Sequence, residues 1–321
     1  MINGELIDLA AGDYRARIAT SGATLVHLRK AGRDLVLPFD AEVSLPEGWQ
    51  GKTLVPWPNR IVGARYAYRG QEYPVPCNEP ETGSALHGLV GWADFQVVAT
   101  SAGDDAVGDA PSSVALELTL PGSYAYPWSL QVDVRFALDA RAGLTVAATT
   151  TCLGAGAPAA PDAVGAPESD GLLAPAPYGV SFHPYLTRSV PLDECVLQVP
   201  AARVLDVDER MAPAAERDVA GTDWDWRAGR PVGTISTDNA YTGLPQGPWE
   251  VRLTGGEAGS TVVLSAEAPW VQVYTAEHLG RRGVAVEPMT CPPDAFNSGR
   301  DLVELEVGRS HSFSYSLRED D

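Results

Sequence analysis

The chain has 321 residues and carries 42 Asp and Glu against 23 Lys and Arg, a formal charge of −19. Such an acidic balance argues against nucleic acid and anionic membranes as partners, because both require a basic face. The four cysteines (Cys77, Cys152, Cys195, Cys291) are far apart with no C-x-x-C pair, which argues against zinc or redox use and for free thiols in a reducing compartment. The N-terminal MINGELIDLAAGDYRARIAT lacks the basic start and apolar run of a signal peptide, and no later stretch approaches the ~20 apolar residues of a membrane span. The expectation is a soluble cytoplasmic protein, monomer or homodimer. The length also suits one large all-β domain, since β-sandwiches can run to ~250 residues or more as a single unit.

In chain order the elements read as strands. Thr24-Leu25-Val26-His27-Leu28-Arg29 is strand-like and ends at the Ala31-Gly32 turn; a second turn follows at Arg69-Gly70. Val114-Ala115-Leu116-Glu117-Leu118-Thr119-Leu120 alternates strictly. Leu130, Val132, Val134, Phe136 and Leu138 then interleave with Gln131, Asp133, Arg135 and Ala137. Residues 154–177 break the pattern, being built almost wholly from Ala, Gly, Pro and acidic residues. Such a segment cannot bury enough apolar area to offset its ordering entropy. It is expected to be a mobile surface loop inserted between strands at 142–152 and 178–187, with an interdomain linker as the competing reading. Beyond it come the Gly255-Gly256 turn, an apolar run at Gly283–Glu287, and a final alternation with Phe313, Tyr315 and Leu317 between serines. No stretch holds a 3.6-residue period over three turns. Many period-two strands with Gly and Pro turns give an all-β protein, a large antiparallel β-sandwich, with residues 1–321 forming one domain.

The chemistry-bearing residues are few. Of five histidines, His27 and His311 read as structural or solvent-facing, and His278 as a surface residue in a polar turn. His87 stands among glycines in Leu86-His87-Gly88-Leu89-Val90-Gly91-Trp92, and His183 closes the apolar strand Tyr178–Phe182 before Pro184. Each taken alone reads as a hydrogen-bonded core histidine. Two histidines and a glutamate could ligate zinc, but these lie ~100 residues apart without an H-x-H or H-E-x-x-H element, so no metal is expected. There is no G-x-S-x-G elbow for nucleophilic hydrolysis. Glu287, in Val284-Ala285-Val286-Glu287-Pro288, is placed at the end of an apolar strand. Partial desolvation there would raise its pKa toward the range useful to a general base.

With those residues in view, the sequence resembles the aldose 1-epimerase family along essentially its whole length. The run GATLVHLRKAGRDLVL is similar to the family's opening hairpin. Pro56-Trp57-Pro58-Asn59-Arg60-Ile61, Leu86-His87-Gly88, Phe182-His183-Pro184-Tyr185, Asp238-Asn239-Ala240-Tyr241 and Val286-Glu287-Pro288 follow in the family's order. The resemblance implies the galactose-mutarotase-like supersandwich and a cofactor-free interconversion of the α and β anomers of a free aldohexose. It implies Glu287 as the base taking the anomeric hydroxyl proton and His183 as the acid protonating the ring oxygen. It further implies that His87, Arg60 and Asp238 bind the sugar, with Asn59 supporting Arg60. Trp92 is a candidate aromatic platform for a sugar face, or else a core residue. For the charged form of the pair to predominate at neutral pH, His183 must hold its proton more tightly than Glu287.

Two departures leave the sugar open rather than the reaction. Galactose enzymes usually carry a second glycine directly after the one corresponding to Gly88, and often an Asn where Thr150-Thr151-Cys152 stands here. A hexose 6-phosphate or sulfonated sugar is therefore an alternative substrate, with Arg65, Arg281 and Arg282 as the visible cationic candidates. A non-catalytic sugar-binding sandwich is the alternative from another class.

Overall fold

The computed structural model describes residues 2–103, 107–108, 110–156, 174–256 and 259–320. Period-two patterning becomes antiparallel sheet. A nine-stranded sheet takes the order Gln96–Ser101, Ser113–Leu120, Trp128–Asp139, Gly143–Ala155, Ser310–Asp320, Thr261–Ala266, Trp249–Thr254, Val196–Gln198, Arg230–Pro231. In its strand Trp128–Asp139, Leu130, Val132, Val134 and Phe136 are buried while Gln131, Asp133 and Arg135 face outward, as the alternation requires. A second sheet runs Pro213–Asp218, Arg203–Val207, Asp238–Thr242, Trp270–Tyr274, Val284–Met289, Ser181–Phe182, Thr53–Leu54, with Tyr185–Leu186 also paired to Val284–Met289. The two sheets pack face to face. Phe182 of the second lies 4.9 Å from Tyr315 and 5.9 Å from Phe313 of the first, ring centre to ring centre.

A four-stranded N-terminal sheet (Leu6–Ala11, Tyr14–Ala19, Thr24–Lys30, Arg33–Asp34) is tied to the last strand, where the Glu319 N–H donates to the Tyr14 hydroxyl at 3.1 Å. The same buried cluster runs through all three sheets, from Leu9 and Ile18 to Val134, Phe136, Val273 and Val286. Each such side chain contributes ~1.5–3 kcal/mol by leaving water, so the cluster dominates the stabilising side of the balance.

The expected insertion is narrower than its composition suggests. Gly154 and Ala155 complete the strand Gly143–Ala155, and Ala176–Tyr178 pairs with Val303–Leu305. The carbonyls of Ala174 and Pro175 accept from Trp128 Nε1 (2.9 Å) and the Tyr68 hydroxyl (3.1 Å). The expectation for residues 157–173 lies outside the described residues. No helix of the described residues is long and apolar enough to cross a membrane.

Candidate active site

The second sheet has two faces, and its period-two alternation sorts them. Along Val284–Met289, Val284 and Val286 join the sandwich core, while Ala285, Glu287 and Met289 point to the opposite side. On the neighbouring strand Val271 and Val273 enter the core, and cross-strand register sets Gln272 opposite Glu287. One strand further, Asp238 pairs with Tyr274. Glu287, Gln272, Tyr274 and Asp238 are thus brought onto one face of a rigid sheet by register alone. Glu287 is not at a strand end, as the following proline suggested. The strand continues through Pro288, opposite Val271, to Met289, and Glu287 is only 2 % exposed.

The other wall comes from loops. The short pair Arg60–Ile61 with Ala85–Leu86 sets Arg60 opposite Leu86 and brings His87 beside Asn59. The two hold each other: the His87 N–H donates to the Asn59 carbonyl (2.8 Å), and the Asn59 N–H donates to His87 Nδ1 (3.2 Å). Both have positive φ, 63° at His87 and 51° at Asn59, a conformation that the surrounding bonds must over-determine. Gly88 follows at φ 74°, and a side chain there would run into the Val55 carbonyl, so the turn needs glycine. His183 follows Phe182; its N–H donates to the Lys52 carbonyl (3.0 Å) and its carbonyl accepts from the Gly51 N–H (2.9 Å). Together these groups line a cleft of about 180 Å³ that contains Trp49, Asn59, Arg60, His87, His183, Asp238 and Glu287.

His183 Nε2 lies 3.2 Å from Glu287 Oε1, and both side chains are almost wholly buried. His183 Nδ1 and Glu287 Oε2 have no hydrogen-bond partner among the described residues. Burial drives the Glu287 carboxyl well above its ordinary range, with Asp238 adding to the rise and Arg60 opposing it. Burial likewise drives the His183 imidazole far down. This reverses the order expected from the sequence. The dry site penalises the ion pair and pushes both groups toward their neutral forms, the carboxyl up and the imidazole down. Asp238 is also raised by burial, against the pull of Arg60, and accepts from Gln272 Nε2 at 2.6 Å.

Arg60 forms a fork on Glu79, with Nε to Oε2 and Nη2 to Oε1 both 2.7 Å. Thr82 Oγ1 also donates to Glu79. Asn59 Oδ1 accepts from the Arg60 backbone N–H at 2.9 Å. Trp92 is not among the residues lining the cleft. It is 48 % exposed, packs at 5.5 Å against Trp49, and lies 4.2 Å beneath Lys52 Nζ. Trp49 forms the aromatic wall instead, edge-on to His87 at 5.1 Å. His278 is exposed as expected, yet it stands at the cleft with Nδ1 2.7 Å from the Tyr274 hydroxyl.

Sequence reasoning missed Glu79, Trp49, Gln272, Tyr185 and Tyr274. Gln272 carried a signal, a lone amide within the apolar run Trp270-Val271-Gln272-Val273-Tyr274. Glu79, in the polar stretch Asn78-Glu79-Pro80-Glu81, carried none.

His87, His183 and Glu287 each bring a donor atom to within 4.8 Å of the others, so three residues remote in sequence do converge. The bonding of His87 nevertheless suits a sugar better than a metal ion. Its Nδ1 accepts a backbone N–H, so the neutral ring carries its proton on Nε2 and presents a donor to the cleft. A metal-bound imidazole needs the reverse, with the remote nitrogen protonated and donating.

A family model described as aldose 1-epimerase matches residues 5–159 and 167–318. The chain belongs to the aldose 1-epimerase family. It is 38 % identical over 316 residues to the uncharacterized protein YihR of Escherichia coli K12, covering 98 % of this chain and 93 % of that one. Among solved structures it is similar to a putative aldose 1-epimerase of Escherichia coli K12, with TM-score 0.78, 21 % identity, and 98 % and 99 % of the two chains covered. It is also similar to galactose 1-epimerase of Lactobacillus acidophilus, with TM-score 0.79, 16 % identity, and 100 % and 96 % coverage. At those identities the structural matches establish the galactose-mutarotase-like fold.

Proposed function

We propose that this family member is a mutarotase that interconverts the α and β anomers of a free aldohexose by ring opening and reclosure. The observation that carries the reading is a buried carboxyl and imidazole 3.2 Å apart, open to a small cleft with Arg60 and Asp238. Glu287 takes the proton of the anomeric hydroxyl. The C1–O5 bond breaks with its electron pair on the ring oxygen, which takes a proton from His183. The aldehyde rotates about C1–C2, and the two transfers run backward on the other face. The balance is complete without a cofactor. Opening converts the Glu287 carboxylate and His183 imidazolium into the neutral acid and neutral imidazole.

That neutral pair is the one the dry site favours when empty. The pair must therefore first take its charged form in the sugar complex, a proton passing from Glu287 to His183 across their 3.2 Å contact, and ring opening then returns both groups to the neutral form. Arg60, oriented by its fork on Glu79, offers its remaining N–H donors and Asp238 its carboxyl to sugar hydroxyls, and His87 donates from Nε2 near the reacting end. No observation favours a phosphorylated or sulfonated substrate. Arg65, Arg281 and Arg282 do not line the cleft, and Arg281 is spent on Asp193 (2.7 Å), Glu277 (2.9 Å) and the Gly233 carbonyl (2.8 Å). NMR exchange spectroscopy between anomers, over a panel of free, phosphorylated and sulfonated hexoses, tests the reading. Enzyme-dependent exchange of a free hexose is expected, and its absence across the panel would overturn the assignment.

A further inference from the structure

One charged side chain is wholly buried behind the cleft and takes no part in the acid–base chemistry. Lys52 is 0 % exposed, and its ammonium has a single hydrogen-bond acceptor among the described residues, the Ser21 carbonyl at 3.1 Å. No carboxylate among the described residues pairs with it. Taking an ammonium out of water without a counter-charge is costly, and burial alone lowers Lys52 from its ordinary 10.5 to about 8. Stability of the fold therefore does not explain a cation in this place.

Its neighbours do. The ammonium stands 4.2 Å from the centre of the Trp92 ring, and Trp92 packs at 5.5 Å on Trp49. Trp49 lies edge-on to His87 at 5.1 Å, and His87 is 5.1 Å from His183. A row of rings thus joins the Lys52 ammonium to the acid–base pair. The Lys52 backbone is bound into the same row: its N–H donates to the Trp49 carbonyl (3.1 Å), and its carbonyl accepts the His183 N–H. Trp49 has φ 62°, a conformation that a bulky residue keeps only where its surroundings impose it. A Cβ at Gly91 would stand 2.7 Å from Trp49 Cζ3, so the indole fits there only against bare backbone.

We propose that Lys52 is a positioning residue of the sugar cleft: its buried ammonium holds the Trp92 ring and through it fixes the Trp49 wall at the setting that fits a hexose. The proposal rests on the 180 Å³ cleft being the sugar site. A cation is attracted to an aromatic face most strongly where water is excluded, and the attraction requires the proton. Of the acidic residues on the segments packed here, Asp94 is engaged by Thr20 Oγ1 at 2.5 Å and Glu47 is exposed. As pH rises through about 8, Lys52 becomes neutral, the hold is lost and sugar affinity falls. Its contribution to stability moves in the opposite sense. The unfolded chain keeps this proton up to the ordinary 10.5, so the Lys52 contribution to the unfolding free energy rises with pH between the two values. A lysine with only a structural role would show the second effect without the first.

Calorimetry with glucose and galactose gives affinity, exchange NMR gives kcat and KM, and urea unfolding gives stability, each measured from pH 7 to about 9.5. Lys52→Met keeps the stem and removes the charge. It is expected to be at least as stable as the wild type, yet to weaken hexose binding and raise KM by about five- to tenfold at pH 7, with kcat little changed. Wild-type affinity should fall by a similar factor through pH 8, whereas the variant should show the weak value throughout. Trp92→Leu alters a half-exposed residue and should give the same loss, and the double variant should lose no more than either single one. Wild-type affinity in Lys52→Met, pH-independent affinity in the wild type, or additive losses in the double variant would overturn the positioning role. Hexose binding that follows Lys52 without any anomer exchange would overturn the mutarotase reading and leave the positioning role standing. Failure of both hexoses to bind the wild type would overturn the two together.

Discussion

In the role proposed for Arg60 two demands meet: the guanidinium would face sugar hydroxyls, and it must not wander. The fork on Glu79, two bonds of 2.7 Å, meets the second. Charged hydrogen bonds contribute ~1.5–3 kcal/mol each. Glu79→Gln removes the charge and one acceptor while keeping the shape. It should lower kcat/KM by ~10–100-fold, mostly through KM, and rescue by Glu79→Asp should be partial because the shorter arm cannot reach both nitrogens. Wild-type KM in Glu79→Gln would show that Arg60 is held without it. The pH profile belongs to this scale too. Burial lowers His183 and raises Glu287, so the pair keeps one proton over a widened range. Its acid limb should fall below the ordinary imidazole value, where a second proton adds, and its alkaline limb should report loss of the pair's one proton. Glu287→Gln should then abolish the alkaline limb of the residual rate. Persistence of that limb would return it to His183. That Glu287 and His183 are placed together agrees with the sequence, where each stands as a polar residue beside an apolar strand and proline. The order of their pKa values was not legible there, because neighbouring residues do not reveal that the site excludes water from both groups.

At the scale of elements, the strands carrying the site were legible from alternation, and the loops closing it only from glycine. The turn Leu86-His87-Gly88 shows why. Gly88, at φ 74°, lies so close to Val55 that any Cβ would overlap its carbonyl. Gly88→Ala should destabilise by ~2–4 kcal/mol, combining backbone strain with a forced shift. Gly32, at φ 81° with open space around it, serves as the control, and Gly32→Ala should cost about 1 kcal/mol. Urea unfolding of both variants measures the difference; equal losses would mean that the turn relaxes freely. The Glu47–Trp49 segment, which supplies the aromatic wall, left little trace beyond one tryptophan in a polar loop. Trp92 drew attention instead because it sits five residues from His87, but it packs behind Trp49 and outside the cleft.

For the whole molecule, the sandwich follows from alternation repeated over many strands, whereas the site depends on contacts between segments remote in sequence. Asp238, Gln272 and Glu287 come together through cross-strand register, which local sequence does not specify. Stability should fall with acid in a defined way. Burial, assisted by Arg29 and Arg17, holds His27 down to about 4 against its ordinary 6.5. The unfolded chain therefore binds this proton more readily between those values, so stability is lost as pH falls through that window, by roughly 2–3 kcal/mol. His27→Gln should narrow the gap between unfolding free energies at pH 7 and pH 4.5; an unchanged gap would show that His27 is not held neutral. The central claim is that a folded, sugar-binding protein turns over its anomers through Glu287. Exchange NMR on a free hexose that the wild type accelerates, comparing it with Glu287→Gln, tests this most directly. The account predicts a rate lower by ~10²–10⁴-fold with sugar affinity retained, the usual worth of a general base. Near-wild-type exchange by Glu287→Gln would contradict it.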